Sequence, residues 1–399
     1  MKDQKLTPQT KLIHVGRDPH AHHGVVNPPI YRASTILHPT LDAWEKAWQP
    51  GFTGYRYGRR ETPTSRGVES AICELYGGDR CVAVCSGMTA ISLAILGLCK
   101  AGDHILVTDS VYGPTRIFCD EILPQYGVST EYYDPAIGSD ISKLLRPETS
   151  LVYTESPGSL TFEIQDIPAI VNAVKQHGVK VISDNTWATA LYFNPLDHGV
   201  DVVVEAATKY ISGHSDVLMG VIVGRGDIAQ QIYSKAKMMG MCCGSEELYS
   251  AQRGLRTMAL RLKQSGNTGF KIAEWLANRP EVARVFHPAF PNSPGHGIWM
   301  RDFSGCSGLF SFQLYPVPKA AVAAFYDNLS LFGIGASWGG YESLVMPANP
   351  VDIRTAVSWD EQGALIRLYT GLEDAMDLLN DLERGFTRMA EACRNVAAS

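Results

Sequence analysis

The chain runs to 399 residues, 45% of them apolar and 19% charged, which is more than one ordinary core holds and points to two domains. Its formal charge of −6 comes without any Lys/Arg run, so there is no concentrated basic face and nucleic-acid binding is not expected as its main task. The longest apolar run lies within residues 90–99, too short to span a bilayer, so no membrane partner is expected either.

Residues 1–5 are polar with no apolar stretch behind them, so no secretory leader is expected. The nine cysteines are odd in number and scattered, which suits reduced thiols in a cytoplasmic protein. As far as residue 60 the chain is rich in His, Pro, Gly and aromatics with little periodicity. We expect this arm to wrap a neighbouring subunit. His20, His22 and His23 read as a solvated loop, not a metal cluster. From residue 62 to 76 apolar residues recur at Val68, Ile72 and Leu75 and end at Gly77-Gly78, a helix with its stop signal. Short apolar runs follow at 81–85, 105–108, 151–154, 179–183, 202–204 and 221–223. They lack polar alternation, as strands buried on both faces do. Helical patterns lie between several of them, at 114–126 and 167–177. The expected class is therefore α/β, a mostly parallel sheet with helices on both faces. A long helical stretch covers 245–278, with a possible break near Gly266. Beyond it, strand patterns at 282–286, 309–314 and 365–368 and helices at 320–329 and 374–388 suggest a smaller α+β domain. The expected division is an N-terminal arm over 1–60, a large domain over 61–255 and a C-terminal domain over 256–399.

Open α/β sheets bind ligands at the carboxyl ends of their strands, so the residues just after each strand carry the functional information. After 81–85 comes Ser86-Gly87-Met88-Thr89-Ala90, a small-residue turn opening a helix. It suits an anion such as phosphate, although such turns are often only structural. Asp184 closes the 179–183 strand and could cap a helix, contact a ligand or hold a buried salt bridge. Lys209 follows the 202–204 strand among small residues. A lysine taken out of water has a lowered pKa, as an amine nucleophile requires. A lysine, a carboxylate and a phosphate cradle together fit pyridoxal 5'-phosphate. A nicotinamide cofactor fits less well, since no strand is followed by G-x-G-x-x-G.

The segment AATKYISGHSD (206–216) resembles the lysine signature of the cysteine/methionine-metabolism family of fold-type I pyridoxal-phosphate enzymes. So do YGRRETPT (57–64), SGMTA (86–90), SVYGPT (110–115), SDNTWAT (183–189) and RGLRTMALRL (253–262) in their own places. The resemblance runs from about His14 to the final helix. It implies that Lys209 bonds the cofactor aldehyde, that Asp184 faces the pyridine nitrogen and that Tyr112 stacks on the ring and assists proton transfer. Gly87, Met88 and Thr208 would hold the phosphate. Tyr57 and Arg59 would reach the phosphate of a neighbouring subunit's cofactor, Arg59 through its planar fork. Arg367 would clamp the substrate carboxylate with help from Ser337. A homotetramer built as a dimer of dimers with shared sites is implied.

The reaction is not settled by fold. Ala336-Ser337-Trp338 and the ESPGS segment at 155–159 resemble the members that cleave at Cβ, with Trp338 beside the substrate. The expected substrate is thus a sulfur amino acid, and the expected reaction is β-elimination of L-cystathionine in methionine biosynthesis. Alternatives are γ-lyase or γ-synthase chemistry, a broader cystine or cysteine-conjugate lyase, or a non-catalytic binding protein on the same scaffold. Lys237 departs from the pattern, standing where some β-lyases place a Tyr near the substrate's distal end.

Overall fold

The valine- and isoleucine-rich runs pair side by side because each has two apolar faces to bury. In the computed structural model, which describes residues 6–359 and 362–398, seven of the strands form one sheet. Residues 1–5, on which the expectation of no leader rests, lie outside the described residues. The strands are β1 (Arg80–Val84), β2 (His104–Thr108), β3 (Ser129–Tyr133), β4 (Thr149–Glu155), β5 (Lys180–Asp184), β6 (Val202–Glu205) and β7 (Gly220–Gly224), in the order β1-β7-β6-β5-β4-β2-β3. The pairs β2–β3, β2–β4, β4–β5 and β5–β6 are parallel; β7 runs antiparallel to β1 and β6.

Alternation along each strand feeds two cores. Val82, Val202, Val204 and Ile222 pack on one face with Ile91 and Leu93 of the helix Gly87–Leu98. Ala83, Val203, Val221 and Val223 pack on the other with Val68 and Ile72 of the helix Pro63–Tyr76 and Ile170 and Val174 of the helix Ile167–Lys175. Thr62 caps the first of these helices in a reciprocal capping box with Ser65, and Gly77 ends it at φ 62°. The expected α/β class, a mostly parallel sheet covered on both faces, is present, as is the smaller α+β unit beyond it.

That unit holds a second sheet of β8 (Val282–Phe286), β9 (Leu309–Leu314), β10 (Gly333–Ile334), β11 (Leu344–Ala348) and β12 (Leu365–Tyr369), in the order β10-β11-β12-β9-β8. Its core joins Phe310, Phe312 and Ile366 to Phe325 and Phe386 from the helices Lys319–Tyr326 and Ala375–Ala398. No helix among the described residues is long and apolar enough to cross a membrane.

Two expectations are corrected. The stretch 245–278 is two helices, Ser245–Leu255 and Met258–Ala277, so the break falls at Arg256 and Thr257, not near Gly266. Gly266 lies inside a continuous helix because the chain at Cys306 approaches so closely that a Cβ would lie 2.2 Å from the Cys306 carbonyl oxygen. The stretch 114–126 is a short α-helix, Gly113–Ile117, followed by a π turn and a 3-10 turn. Pro124 has no N–H to continue the α pattern.

Replacing Gly266 by Ala should therefore destabilise the protein by about 1–3 kcal/mol, the usual range for overpacking a tight contact. Urea denaturation measures it; an unchanged midpoint would mean that the Cys306 segment moves aside without cost.

Candidate active site

The carboxyl ends of β1, β4, β5 and β6 open into one cavity of about 450 Å3, closed on the far side by the smaller sheet. Ser86, the residue after Cys85, caps the helix Gly87–Leu98 by accepting the Thr89 N–H at 3.0 Å. Gly87 and Met88 line the cavity, and as first-turn residues their N–H groups have no intrahelical acceptor. Only glycine fits at 87, since a Cβ there would lie 2.7 Å from that of Ala206. Thr208 also lines the cavity; its Oγ1 is held between the N–H and carbonyl of Met219, at 3.0 and 3.2 Å.

Asp184 ends β5 and is buried. Its Oδ1 accepts the N–H and hydroxyl of Thr186, at 2.9 and 2.5 Å, and its Oδ2 accepts the Tyr153 hydroxyl at 3.4 Å. Burial raises its carboxyl pKa, and Thr186, Tyr153 and Lys209 oppose that rise. The Thr186 oxygen in turn accepts the Ala206 N–H at 2.9 Å, tying the acid's strand to the loop that carries Lys209. Of the three open readings for Asp184, helix capping falls away, since the next helix, Thr189–Tyr192, has Ala188 at its N-cap and no side-chain cap; Asp184 holds only the local Thr186 turn and lines the cavity.

Lys209 lines the same cavity. Its Nζ donates to Ser337 Oγ and lies 5.3 Å from the centre of the Trp338 ring. Burial pushes its amine down to about 8, with Arg367 adding to the fall and Asp184 resisting it. The Ser337–Gly339 turn reaches Lys209 only because Gly339, at φ 89°, has no side chain: a Cβ would meet the Lys209 Cα at 2.8 Å. Ser337 is itself held at φ 84°, a strained conformation for a residue with a side chain. Arg367, on β12, donates to the Ser337 carbonyl at 3.1 Å. Burial lowers its pKa to about 10. Trp338 lines the cavity and also packs on Tyr210, ring centres 5.4 Å apart, so its position is both core and site. Tyr112 stands at the mouth, 44% exposed, with its N–H on Glu155 Oε2 at 2.8 Å. Burial, then Glu155, raises its phenol pKa.

Tyr57 and Arg59 are not in this cavity. They are exposed and line a second one of about 220 Å3 together with Lys237. Arg59 Nη1 donates to the Lys237 carbonyl at 2.5 Å. Lys237 does not line the first cavity. Its side chain is buried 3.9 Å from Glu69 Oε1 and lies over Tyr233.

Sequence reasoning passed over Thr186, Glu155 and Glu205, all of which line the cavity. The available signal was their position, each at or just after a strand end, the rule that selected Asp184 and Lys209.

Three comparisons bear on the site. The family model described as Cys/Met metabolism PLP-dependent enzyme matches residues 9–387. The cystathionine beta-lyase MetC of Escherichia coli K12 is 44% identical over 98% of this chain and 100% of its own, and an L-alanine/L-glutamate racemase of Wolbachia pipientis wMel is 38% identical over 98% of both chains. A crystal structure of cystathionine gamma synthase from Xanthomonas oryzae pv. oryzae, in complex with aminoacrylate and cysteine, superposes with a TM-score of 0.88 at 30% identity, covering 98% of this chain and 100% of that one.

Arg367→Ala removes a positive neighbour of the Lys209 amine, so it should raise that amine's pKa. In cofactor-free protein, the pH midpoint for acylation of Lys209, followed by peptide mass spectrometry, should lie near 8 in the parent and higher in the variant. A midpoint that stays put would show that Arg367 does not act on the amine.

Proposed function

The chain belongs to the Cys/Met metabolism family of PLP-dependent enzymes, and from that membership we propose that it eliminates homocysteine from L-cystathionine, leaving pyruvate and ammonia, as a cystathionine β-lyase does. Pyridoxal 5'-phosphate is its cofactor. The residues fit that group: one cavity brings together a buried lysine, a buried carboxylate and a glycine-started helix terminus. The observation that carries the choice of β-elimination is the 44% identity to the E. coli β-lyase over that enzyme's whole length. The Ser337-Trp338 pair against Lys209 supports it.

When bound, the cofactor drains negative charge from the substrate's Cα. In this reading the Gly87 and Met88 N–H groups and Thr208 hold its phosphate, Tyr112 covers its ring and Asp184 stands at its nitrogen. Arg367 binds the substrate carboxylate as a charge-assisted pair, with Ser337 beside it. The Lys209 amine, neutral above about pH 8, takes the proton from Cα. It then delivers that proton to the departing homocysteine sulfur, so one group serves both ends of the elimination. Trp338 and the closing turn keep bulk water from the reacting atoms.

We also take Tyr57 and Arg59 to serve the cofactor phosphate of a neighbouring subunit, within a cytoplasmic homotetramer built as two dimers whose N-terminal arms cross. Their exposure, outside the first cavity, supports this. The division into a large domain over 61–255 and a C-terminal domain over 256–399 belongs to the same proposal, as does a place in methionine biosynthesis.

Lys209→Ala should lose the yellow colour of the lysine-bound cofactor and at least a 10^3-fold share of turnover, about 4 kcal/mol of barrier. A yellow, active variant refutes the assignment. With cystathionine as substrate, homocysteine and pyruvate are the expected products. Cysteine with 2-oxobutyrate would establish γ-cleavage, a racemised amino acid without sulfur release would establish a racemase, and a colourless inert protein would indicate a binding role. Arg367→Ala should raise KM for cystathionine far more than it weakens cofactor binding, read from the substrate-saturation curve and the retained absorbance.

A further inference from the structure

Three neighbouring strands end in an acidic residue beside this cavity: Glu155 on β4, Asp184 on β5 and Glu205 on β6, whose carboxyl is buried against Tyr76. Glu205 is not used by the chemistry above. It is 2% exposed. Its Oε2 accepts the Tyr76 hydroxyl, and the Tyr76 oxygen accepts Asn185 Nδ2 at 3.0 Å, whose amide also donates to the Phe193 carbonyl at 2.8 Å. The donors of this network are then exhausted. Glu205 Oε1 and Asn185 Oδ1 remain buried acceptors without a partner. No cation forms an ion pair with Glu205 among the described residues. A carboxylate sealed from water with one neutral donor and no counter-charge is the arrangement that neutralises itself by taking up a proton. The network leaves two buried acceptors without a donor, and protonating Glu205 removes one of them and adds a donor.

We propose that Glu205 stands behind Asp184 as a neutral carboxylic acid, a positioning residue that adds no negative charge of its own behind Asp184. This rests on the reading that Asp184 faces the cofactor ring. The titratable groups facing Glu205 are Tyr76 from the helix Pro63–Tyr76, Cys81 from β1 and Asp184 from β5. Burial holds Tyr76 and Cys81 far above their ordinary values, so both stay protonated and neither supplies a charge. Burial, opposed by the Tyr76 hydrogen bond and aided by Asp184, puts the Glu205 carboxyl at about 8 against an ordinary 4.5.

The sign of the consequence is fixed by linkage. A carboxyl that binds its proton more tightly when folded makes the folded state lose stability as pH rises from about 4.5 to about 8. Glutamine cannot ionise and escapes that loss. Denaturant unfolding of the cofactor-loaded protein across this window, at one protein concentration, should show Glu205→Gln gaining on the parent. The gain should approach tenfold in the unfolding equilibrium constant per pH unit and level off above about pH 8. A loss of stability of constant size at every pH would mean that Glu205 is ionised and merely bonded to Tyr76, and the proposal falls.

The absorbance of the bound cofactor is the second readout. The parent should show an alkaline step that Glu205→Gln lacks and that Tyr76→Phe moves to higher pH, since Phe removes the donor that favours the carboxylate. An identical alkaline step in all three proteins would end the charge-setting role. Should Glu205→Gln not fold, the Tyr76→Phe shift alone decides. None of these readouts involves cystathionine turnover, so a wrong substrate would leave them intact, whereas a colourless parent would bring down the cofactor geometry itself.

Discussion

The removal of one amine from water is the constraint on which the rest of the site depends. Lys209 is taken into a cavity and held by a serine hydroxyl and an aromatic face, with no close ion pair among the described residues. Desolvation weakens its hold on a proton, and the Arg367 cation weakens it further. A lysine on a solvated helix face, left at the ordinary 10.5, would hold its proton to far higher pH than Lys209 does and be a much rarer base. The surrounding architecture can be understood as what keeps this lysine dry without giving it a neutralising partner.

Two chain segments 128 residues apart must meet to do so. The loop after β6 brings Lys209, and the turn before β11 brings Ser337 and Trp338. They can pack only because Gly339 presents no Cβ to the Lys209 backbone. Ser337 accepts strain at φ 84° so that its hydroxyl meets the amine while its carbonyl meets Arg367. At the opposite end Gly87 permits a similar approach to Ala206, and Thr186 links the strand bearing the acid to the loop bearing the base. Asp184, Lys209 and the Gly87 helix start are thus tied to one another by the Thr186 hydrogen bonds and the close Gly87–Ala206 approach, so their relative positions do not rest on mobile surface loops.

The second cavity follows a different logic. There a buried lysine, Lys237, does have a counter-charge in Glu69, whose carboxyl is nonetheless pushed up to about 7 by burial. The pair anchors the end of one helix, and the carbonyl at that end receives Arg59. Lys237 sits 3.9 Å from the Glu69 carboxyl, whereas among the described residues no carboxylate lies within ion-pair distance of Lys209.

The alternation of buried apolar runs and helical periods was enough to read most of the large sheet. So were the strand-end positions of Asp184 and Lys209, because both follow from what each strand must bury on its own. β3 escaped notice since its Ser-Thr-Glu-Tyr-Tyr stretch is half exposed and becomes a strand only by pairing with β2. Gly266 looked like a break because glycine is a poor helix former, whereas its role is a contact with Cys306 that local pattern cannot reveal. Residue types along the chain therefore determined the class of fold and the cofactor, and pointed to Lys209 and Asp184 as the residues proposed to meet it. Only the tertiary structure decided which carboxyls are dry, which lysine is left without a counter-charge and which glycines exist for an approach from elsewhere. Those properties depend on neighbours brought in from remote parts of the chain, and burial and electrostatics belong to the assembled site, not to any segment of it.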